Sequence, residues 1–294
     1  MTPKTSTTPA GPIENGISFD VEEYFHALNL RPVAPEAAWD GMQRRTATTT
    51  RELADQLAAH GVKSTFFFLG WVAARDRALV KAIHAAGHEI GSHGVSHRMA
   101  DELGADAFRD EARSSKALLE DITGAPVHGF RASTFSIGPR TPFALEVLVE
   151  EGYRWDSSVF PVRHDRYGDP TFSRVPVVVR TPAGPIVELP LLTWRVLGQN
   201  VPAAGGGYLR LLPVAIVEKA LRAMNADGAP GVLYLHPWEF DPGQPRLLRG
   251  GLGAWRHYSG LRGTRAKLER LLGKFRFGPL GPIAEAARTS ARMV

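Results

Sequence analysis

Short apolar runs alternate with longer amphipathic segments through the first half of the chain. The apolar runs predict strands at 17–22, 63–69, 89–90 and 127–131. Helical spacing of apolar positions predicts helices at 50–60, 78–86, 105–122 and 141–152, and a glycine follows each of the first three within two residues. Strands that alternate with helices of this length indicate an α/β fold built on a parallel sheet or barrel.

The pattern changes after residue 156. Two β-branched runs, 175–180 and 186–189, flank a Pro- and Gly-containing turn and predict a hairpin. A helix at 213–224 and a buried strand at 231–235 follow. Near the C-terminus, Leu268, Leu271, Leu272 and Phe275 recur at helical spacing, which predicts a helix with one buried face.

These elements suggest three parts without a clear linker between them. Residues 1–16 are rich in Thr and Pro and are expected to form a disordered leader. Residues 17–245 are expected to form the main domain, with the hairpin near 174–190 as an insertion. Residues 246–294 are expected to form a basic C-terminal extension that packs on the main domain.

Composition narrows the class of protein. The chain has 294 residues, 44% of them hydrophobic and 22% charged, as in ordinary globular proteins. It has no cysteine, so any metal must be held by His, Asp or Glu. No stretch resembles a signal peptide or membrane span, and a cytoplasmic location is therefore predicted.

The net charge of +5 is concentrated near the C-terminus. Residues 246–276 contain nine Lys and Arg against one acidic residue, Glu269. Two interpretations stay open: a solvated helix face, or a surface for an anionic partner such as a membrane-bound synthesis complex. Binding to nucleic acid is not expected, because no recognised module accompanies the charge.

Candidate metal ligands follow two of the predicted strands. His93 and His97 come after the strand at 89–90 and would face the same way if the segment between them made one helical turn. At the end of the first strand, alternation places Asp20 and Glu22 on one face, where two carboxylates repel unless a cation or a proton is shared. The carboxyl ends of strands are where α/β folds gather their chemistry.

Five motifs, in order along the chain, resemble those of the polysaccharide deacetylases (carbohydrate esterase family 4). They are Phe19-Asp20, His93-Gly-Val-Ser-His97, Arg131-Ala-Ser-Thr-Phe135, Tyr153-Arg-Trp-Asp156 and Leu233-Tyr-Leu-His236. The flanking segments 19–26, 69–73, 236–242 and 256–278 are similar to deacetylases of bacterial exosortase-associated exopolysaccharide loci. The resemblance implies an irregular (β/α) barrel, here with a C-terminal extension.

The resemblance also implies an activity and a role for each motif residue. The reaction would be hydrolysis of N-acetyl groups on amino sugars of an exopolysaccharide or its lipid-linked precursor. Asp20 would be the general base, oriented by Arg131, and His236 the general acid, tuned by Asp156. His93 and His97 would hold a divalent metal; zinc is favoured, with cobalt, nickel or manganese as alternatives.

Two positions depart from the family pattern. The family usually has a second aspartate, a metal ligand, directly after the base, but Val21 stands there. Glu22 is the expected substitute because it shares a strand face with Asp20, and Glu23 is the alternative. Ser133 replaces the proline usual two positions after the motif arginine, which would affect loop rigidity.

The resemblance also implies a substrate, and two rival functions stay open. The partner would be an N-acetylated oligo- or polysaccharide, with Trp238, Phe135 and Trp155 as candidate contacts to sugar rings. One rival is a metal-independent hydrolase of small cyclic ureides on the same fold. The other is a non-catalytic polysaccharide-binding protein, which would need neither the base nor the acid.

Overall fold

A computed structural model describes residues 12–164 and 166–290. The predicted leader, residues 1–16, lies largely outside the described residues. Its last part was predicted wrongly, because Asn15 and Gly16 are buried in the first strand. The strands are β1 (Glu14–Val21), β2 (Thr65–Phe68), β3 (Glu89–Ser92), β4 (Gly129–Phe130), β5 (Trp155–Asp156), β6 (Val177–Thr181), β7 (Gly184–Glu188), β8 (Thr193–Val196), β9 (Gln199–Pro202), β10 (Val232–Leu235) and β11 (Arg276–Gly278).

Helices connect most of these strands. They are α1 (Thr46–Ala59), α2 (Gly70–Arg75), α3 (Arg77–Ala85), α4 (Ala100–Thr123), α5 (Ala144–Glu150), α6 (Gly207–Leu211), α7 (Val214–Ala226), α8 (Gly251–Tyr258), α9 (Leu261–Leu272) and α10 (Leu280–Ser290). Short 3₁₀ turns occur at Tyr24–His26, Leu28–Leu30, Glu36–Gly41, Ser133–Phe135 and Pro237–Phe240. No helix in the described ranges is long and apolar enough to cross a membrane.

One sheet organises the fold. Its strands lie in the order β10-β1-β2-β3-β4-β5-β7-β6, and β11 also pairs with β1. Every neighbouring pair is parallel except β6 and β7, which form the predicted hairpin. The α/β class with a parallel barrel-type sheet is therefore confirmed. The hairpin is not an insertion beside the sheet, because β7 pairs with β5 and continues it.

The first two strands form the centre of the core. All four residues of β2 are buried, as expected for a parallel strand that is covered on both faces. Phe66 of β2 stacks on Phe19 of β1, with 5.1 Å between ring centroids. Parallel pairing brings the carboxyl ends of β1, β3, β4 and β10 to one edge, so the residues that follow them meet there.

The C-terminal segment is part of the fold as well as a cover for it. Leu268, Leu271 and Leu272 of α9 are buried as predicted. Beyond α9, β11 joins the sheet beside β1, and Leu280 of α10 packs against Gly16. The sequence pattern showed the amphipathic helix but not the strand, because three residues carry too little periodicity.

Four cations of the basic segment, at positions 265, 267, 270 and 274, are not free to meet an anionic partner. Arg265 pairs with Glu52 at 2.7 Å, while Arg270 and Lys274 both pair with Glu218. Lys267 Nζ donates to three backbone carbonyls, each at 2.8 Å. These four cations stabilise the packing of α9 on its neighbours instead of facing a partner.

We expect Leu271→Asp to disrupt the packing of α9 and to destabilise the protein. The substitution removes a fully buried leucine and buries a carboxylate, and should lower the free energy of unfolding by about 3 kcal/mol or more. Urea unfolding followed by circular dichroism measures the loss. Leu197→Asp is the matched control. Leu197 lies in the turn between β8 and β9, is 98% exposed and should tolerate the same change. Equal stabilities of the two variants would contradict the packing role of α9.

Candidate active site

Two carboxylates lie where β1 ends. The strand stops at Val21, and the chain turns so that the Glu22 amide donates to the Asp20 carbonyl at 3.1 Å. Both side chains are buried. Simple strand alternation therefore does not extend to Glu22, but the turn brings it to the same cleft as Asp20.

Arg131 fixes the position of Asp20. Its Nη1 donates to Asp20 Oδ1 at 2.8 Å and to the Ser18 hydroxyl at 2.7 Å. Its Nε and Nη2 donate to the backbone carbonyl and the hydroxyl of Ser157, and its guanidinium lies over the Phe67 ring. The arginine is completely buried. A planar guanidinium with a partner for each donor group holds a carboxylate in one orientation.

The loop after β3 places the two histidines, and it is not the helical turn that the sequence suggested. Gly94 and His97 both adopt positive φ, +71° and +56°. The carboxylate of Glu111, on α4, accepts from the amides of Val95 and Ser96 and from the Ser96 hydroxyl. Sequence reasoning missed Glu111, because it lies 14 residues beyond the motif and only the tertiary structure brings it to the loop.

Glu22, His93 and His97 form a compact set of metal-ligand groups. Their ligand atoms lie within 4.8 Å of one another, and His97 Nε2 is 2.5 Å from Glu22 Oε2. His93 Nδ1 is 2.7 Å from the Arg131 carbonyl and, as the donor in this bond, leaves Nε2 free to face the site. Arg131 thus orients the candidate base, Asp20, through its side chain and a candidate metal ligand, His93, through its backbone.

The protonation states suit a cation. Burial lowers the pKa of His93 to about 4, so its imidazole is neutral near pH 7. Burial alone would raise the pKa of Glu22, but the imidazoles of His97 and His236 hold it well below its ordinary value. Although His97 Nε2 lies 2.5 Å away, Glu22 Oε2 accepts no well-oriented hydrogen bond within the described residues. An ionised carboxylate and two buried imidazoles fit a zinc-like divalent ion.

Glu23, the alternative ligand, contacts the N-terminus of α1 instead of the two histidines. Its carboxylate accepts from the backbone amides of Arg45 and Thr46, at distances between 2.9 and 3.2 Å. These amides belong to the unpaired N-terminal donors of α1, so Glu23 caps that helix. The geometry assigns the position beside the two histidines to Glu22.

His236 follows β10 and faces both carboxylates. Its Nε2 lies 3.9 Å from Asp20 Oδ2 and 3.7 Å from Glu22 Oε1. Its Nδ1 lies 3.2 Å from Glu239 Oε2, and Arg210 pairs with the other oxygen of Glu239 at 2.7 Å. Burial lowers the pKa of His236, but the charges of Glu22, Glu239 and Asp20 outweigh it and raise the pKa to about 9.

The expected contact between Asp156 and His236 is not made. Asp156 accepts from the amide and hydroxyl of Ser158, and no ion pair joins it to His236 within the described residues. It neighbours Glu188, whose pKa is raised well above its ordinary value by burial and by the Asp156 charge. The partner of His236 is Glu239, three residues along a 3₁₀ turn that sequence reasoning did not single out.

The three predicted sugar-contacting rings have different environments. Phe135 and Trp238 both line a cavity of about 150 Å³, together with Asp20, Glu22, His93, His97, Thr134, Tyr167, Tyr234 and His236. Trp238 is largely buried, and its indole N–H donates to Glu22 Oε1 at 3.0 Å. Trp155 is not in the cavity: it packs against Phe67 and fills the space beside Gly129. The prediction of a sugar contact was therefore wrong for Trp155.

Comparison with known proteins gives this arrangement a family. Residues 38–154 match the polysaccharide deacetylase family model, and residues 157–285 match a domain of unknown function (DUF3473). This match places residues 38–154 in the polysaccharide deacetylase family. The deacetylase match includes His93, His97 and Arg131. Asp20 and Glu22 precede this match, and His236 lies in the segment that matches DUF3473.

Individual relatives agree with this membership. A peptidoglycan-N-acetylglucosamine deacetylase of Bacillus cereus is 35% identical over 104 residues, which are 35% of this chain and 38% of the relative. A chitin deacetylase of Pestalotiopsis sp is 35% identical over 107 residues, covering 35% of each chain. The chain thus spans well under half the length of these relatives.

A solved structure shares the fold over nearly the whole chain. It is the crystal structure of a Mycobacterium smegmatis protein assigned as a polysaccharide deacetylase. The TM-score is 0.61 at 22% identity, and the alignment covers 98% of this chain and 96% of the other. The similarity therefore includes the DUF3473 segment, which belongs to the same folded unit as the deacetylase match.

The two adjacent glutamates make a direct test of the metal site. Glu22→Gln should weaken zinc binding about a hundredfold or more, because it removes the only carboxylate in the ligand set. Glu23→Gln should keep zinc affinity within about twofold and instead lower the melting temperature through loss of the α1 cap. Competition with a chromophoric chelator measures the affinities. Loss of zinc in the Glu23 variant alone would reverse the assignment.

Proposed function

We propose that this protein is a metal-dependent N-deacetylase that removes acetyl groups from N-acetylated amino sugars. One observation carries the proposal. The ion pair of Asp20 with Arg131 and the imidazole of His236 converge on the ligand set of Glu22, His93 and His97 in a single cavity. Amide hydrolysis needs a base for water, a polarised carbonyl and an acid for the leaving amine, and this cavity has a group for each.

The ligand set supplies the electrophilic part of the chemistry. A divalent ion held by Glu22, His93 and His97 would polarise the acetamide carbonyl and lower the pKa of bound water. We propose zinc, since two imidazoles and a carboxylate suit it, with cobalt, nickel or manganese as substitutes. The indole of Trp238 and the Arg131 carbonyl orient two of the three ligands.

Asp20 and His236 handle the protons. Asp20, oriented by Arg131, removes a proton from water as the water oxygen bonds to the carbonyl carbon. His236, charged near pH 7 and held by Glu239, then protonates the amide nitrogen as the C–N bond breaks. The products are acetate and the free amine of the sugar. Asp156 has no direct part in this scheme.

The proposed substrate follows from the family and the cavity. The relatives are named for peptidoglycan and chitin, both polymers with N-acetylated amino sugars. We propose an exopolysaccharide, or its lipid-linked precursor, because flanking segments resemble deacetylases of exopolysaccharide loci. Phe135 and Tyr234, whose ring centroids are 4.4 Å apart, form an aromatic wall for the sugar.

The two rival functions have less support from the site. A metal-independent ureide hydrolase has no need for a buried carboxylate beside two buried imidazoles. A purely polysaccharide-binding protein has no need for a buried Asp–Arg pair and a histidine of raised pKa. Metal content together with acetate release distinguishes all three functions.

We expect the zinc-loaded protein to release acetate from N-acetylated amino-sugar oligomers. Asp20→Asn and His236→Gln should each reduce kcat by about two orders of magnitude or more, because each removes a proton-transfer group. Zinc content and melting temperature, measured in parallel, should stay near those of the unaltered protein. Loss of zinc in the His236 variant would make His236 a ligand, and unchanged kcat in either variant would exclude it from the reaction.

The dependence on pH tests which carboxylate supports His236. Activity that needs the imidazolium falls as pH rises through the pKa of His236, which sets the basic limb of the rate profile. Glu239→Gln removes a neighbouring negative charge, so the basic limb should move to lower pH by about one unit or more. Asp156→Asn is the control and should leave the limb in place. A shift only in the Asp156 variant would contradict this assignment and support the originally expected contact between Asp156 and His236.

A further inference from the structure

Helix α8 exposes two large apolar side chains on one face. Leu252 is 63% exposed and Trp255 is 56% exposed, and they lie three residues apart, one above the other on the helix. Arg256 extends the same face and is also exposed. Single exposed apolar residues are common on protein surfaces, but a leucine and a tryptophan side by side on a short helix form a local patch.

Exposed arginines occur on α8 and in the segments directly before and after it. No acidic residue occurs between positions 242 and 268. No Asp or Glu oxygen of the described chain lies within ion-pair distance of the four exposed arginines here, whereas Arg265 and Arg270 of α9 are ion-paired. The guanidinium of Arg246 also covers the Tyr258 ring. The α8 patch is defined here as Leu252, Trp255, Arg246, Arg249, Arg256 and Arg262.

The opposite side of α8 is anchored next to the candidate active site. The buried ring of His257 stacks on Trp238 with 4.6 Å between centroids, and Trp238 stacks in turn on His236. Arg210 Nη1 donates to three carbonyls at the end of α8, at distances of 2.8 to 3.0 Å. The helix is therefore held in place by the wall of the cavity, and its exposure does not come from loose packing.

We propose that the α8 patch docks this protein on an anionic lipid surface. Tryptophan and leucine insert at the level of the headgroups, and arginines around them pair with lipid phosphates. The leucine favours lipid over carbohydrate, since sugar rings stack on aromatic side chains and gain little from an isolated leucine. The docking does not depend on the proposed deacetylase activity. If both hold, the cavity is presented to amino sugars carried at the membrane surface.

Sedimentation with vesicles tests the proposal. The full chain should pellet with vesicles of 30% phosphatidylglycerol in phosphatidylcholine, and about tenfold less with pure phosphatidylcholine. Binding should weaken as salt is raised from about 0.05 to 0.5 M, since exposed charges are screened over a Debye length. Two variants should each lose about tenfold or more in affinity: Leu252→Asn with Trp255→Ser, and the four arginines of the patch changed together to Gln.

Matched controls separate docking from general effects of charge or apolarity. Changing four exposed cations on other elements to Gln removes the same charge and should leave binding within about twofold; the four are Arg51, Lys81, Arg154 and Arg195. Leu197→Asn removes an exposed leucine from the hairpin tip and should also have no effect. Circular dichroism and zinc content confirm that each variant is folded.

Three outcomes would overturn the proposal. The first is an absence of binding to anionic vesicles. The second is equal loss in the control and patch variants, which would indicate net charge alone. The third is tight, patch-dependent binding to soluble polyglucuronate with none to vesicles, which would make the patch a site for an acidic polysaccharide. Acetate release from soluble oligomers is measured separately, so failure of docking leaves the proposed activity untouched.

Discussion

The buried contact between Arg131 and Asp20 is the interaction on which the site depends. A fully buried guanidinium and a buried carboxylate cost several kcal/mol each to desolvate, and the cost is offset only when geometry and hydrogen bonding are complete. Here the arginine links the end of β1, the loop after β5 and, through its own carbonyl, His93. Three strand ends are thereby fixed relative to one another, so the same residue sets the positions of the proposed base, Asp20, and the proposed ligand, His93.

The two matched segments of the chain form one functional unit. The deacetylase match contributes the histidine loop and Arg131, while the DUF3473 segment contributes His236, Glu239 and the strand β10 that pairs with β1. Trp238, from the same segment, reaches across the cavity to Glu22. The proposed base, Asp20, precedes both segments and the proposed acid, His236, lies in the second, so the proposed reaction needs the chain folded as one unit.

Sequence reasoning succeeded where the information is local. Buried strands such as β2, the hairpin of β6 and β7, and the apolar face of α9 are visible as periodicity in neighbouring residues. The residues expected at the strand ends also meet in one cavity. Sequence reasoning failed where contacts between distant parts of the chain determine the position of a side chain. Glu111 of α4 holds the histidine loop, and Glu239 takes the place beside His236 that was expected for Asp156. Trp155 packs in the core instead of lining the cavity. Contacts across elements also engage Arg265, Lys267, Arg270 and Lys274, which the sequence alone could not show.

The position of Glu22 beside His93 and His97 would give a chain with Val21 in place of the usual aspartate a complete set of metal ligands. Anomalous diffraction at the zinc absorption edge, from crystals of the zinc-loaded protein, locates the ion directly. We predict one anomalous peak between a Glu22 carboxylate oxygen and the Nε2 atoms of His93 and His97. Asp20 should still be paired with Arg131. A peak on Asp20 with Glu22 turned away, or a peak beside Glu23, would contradict this prediction.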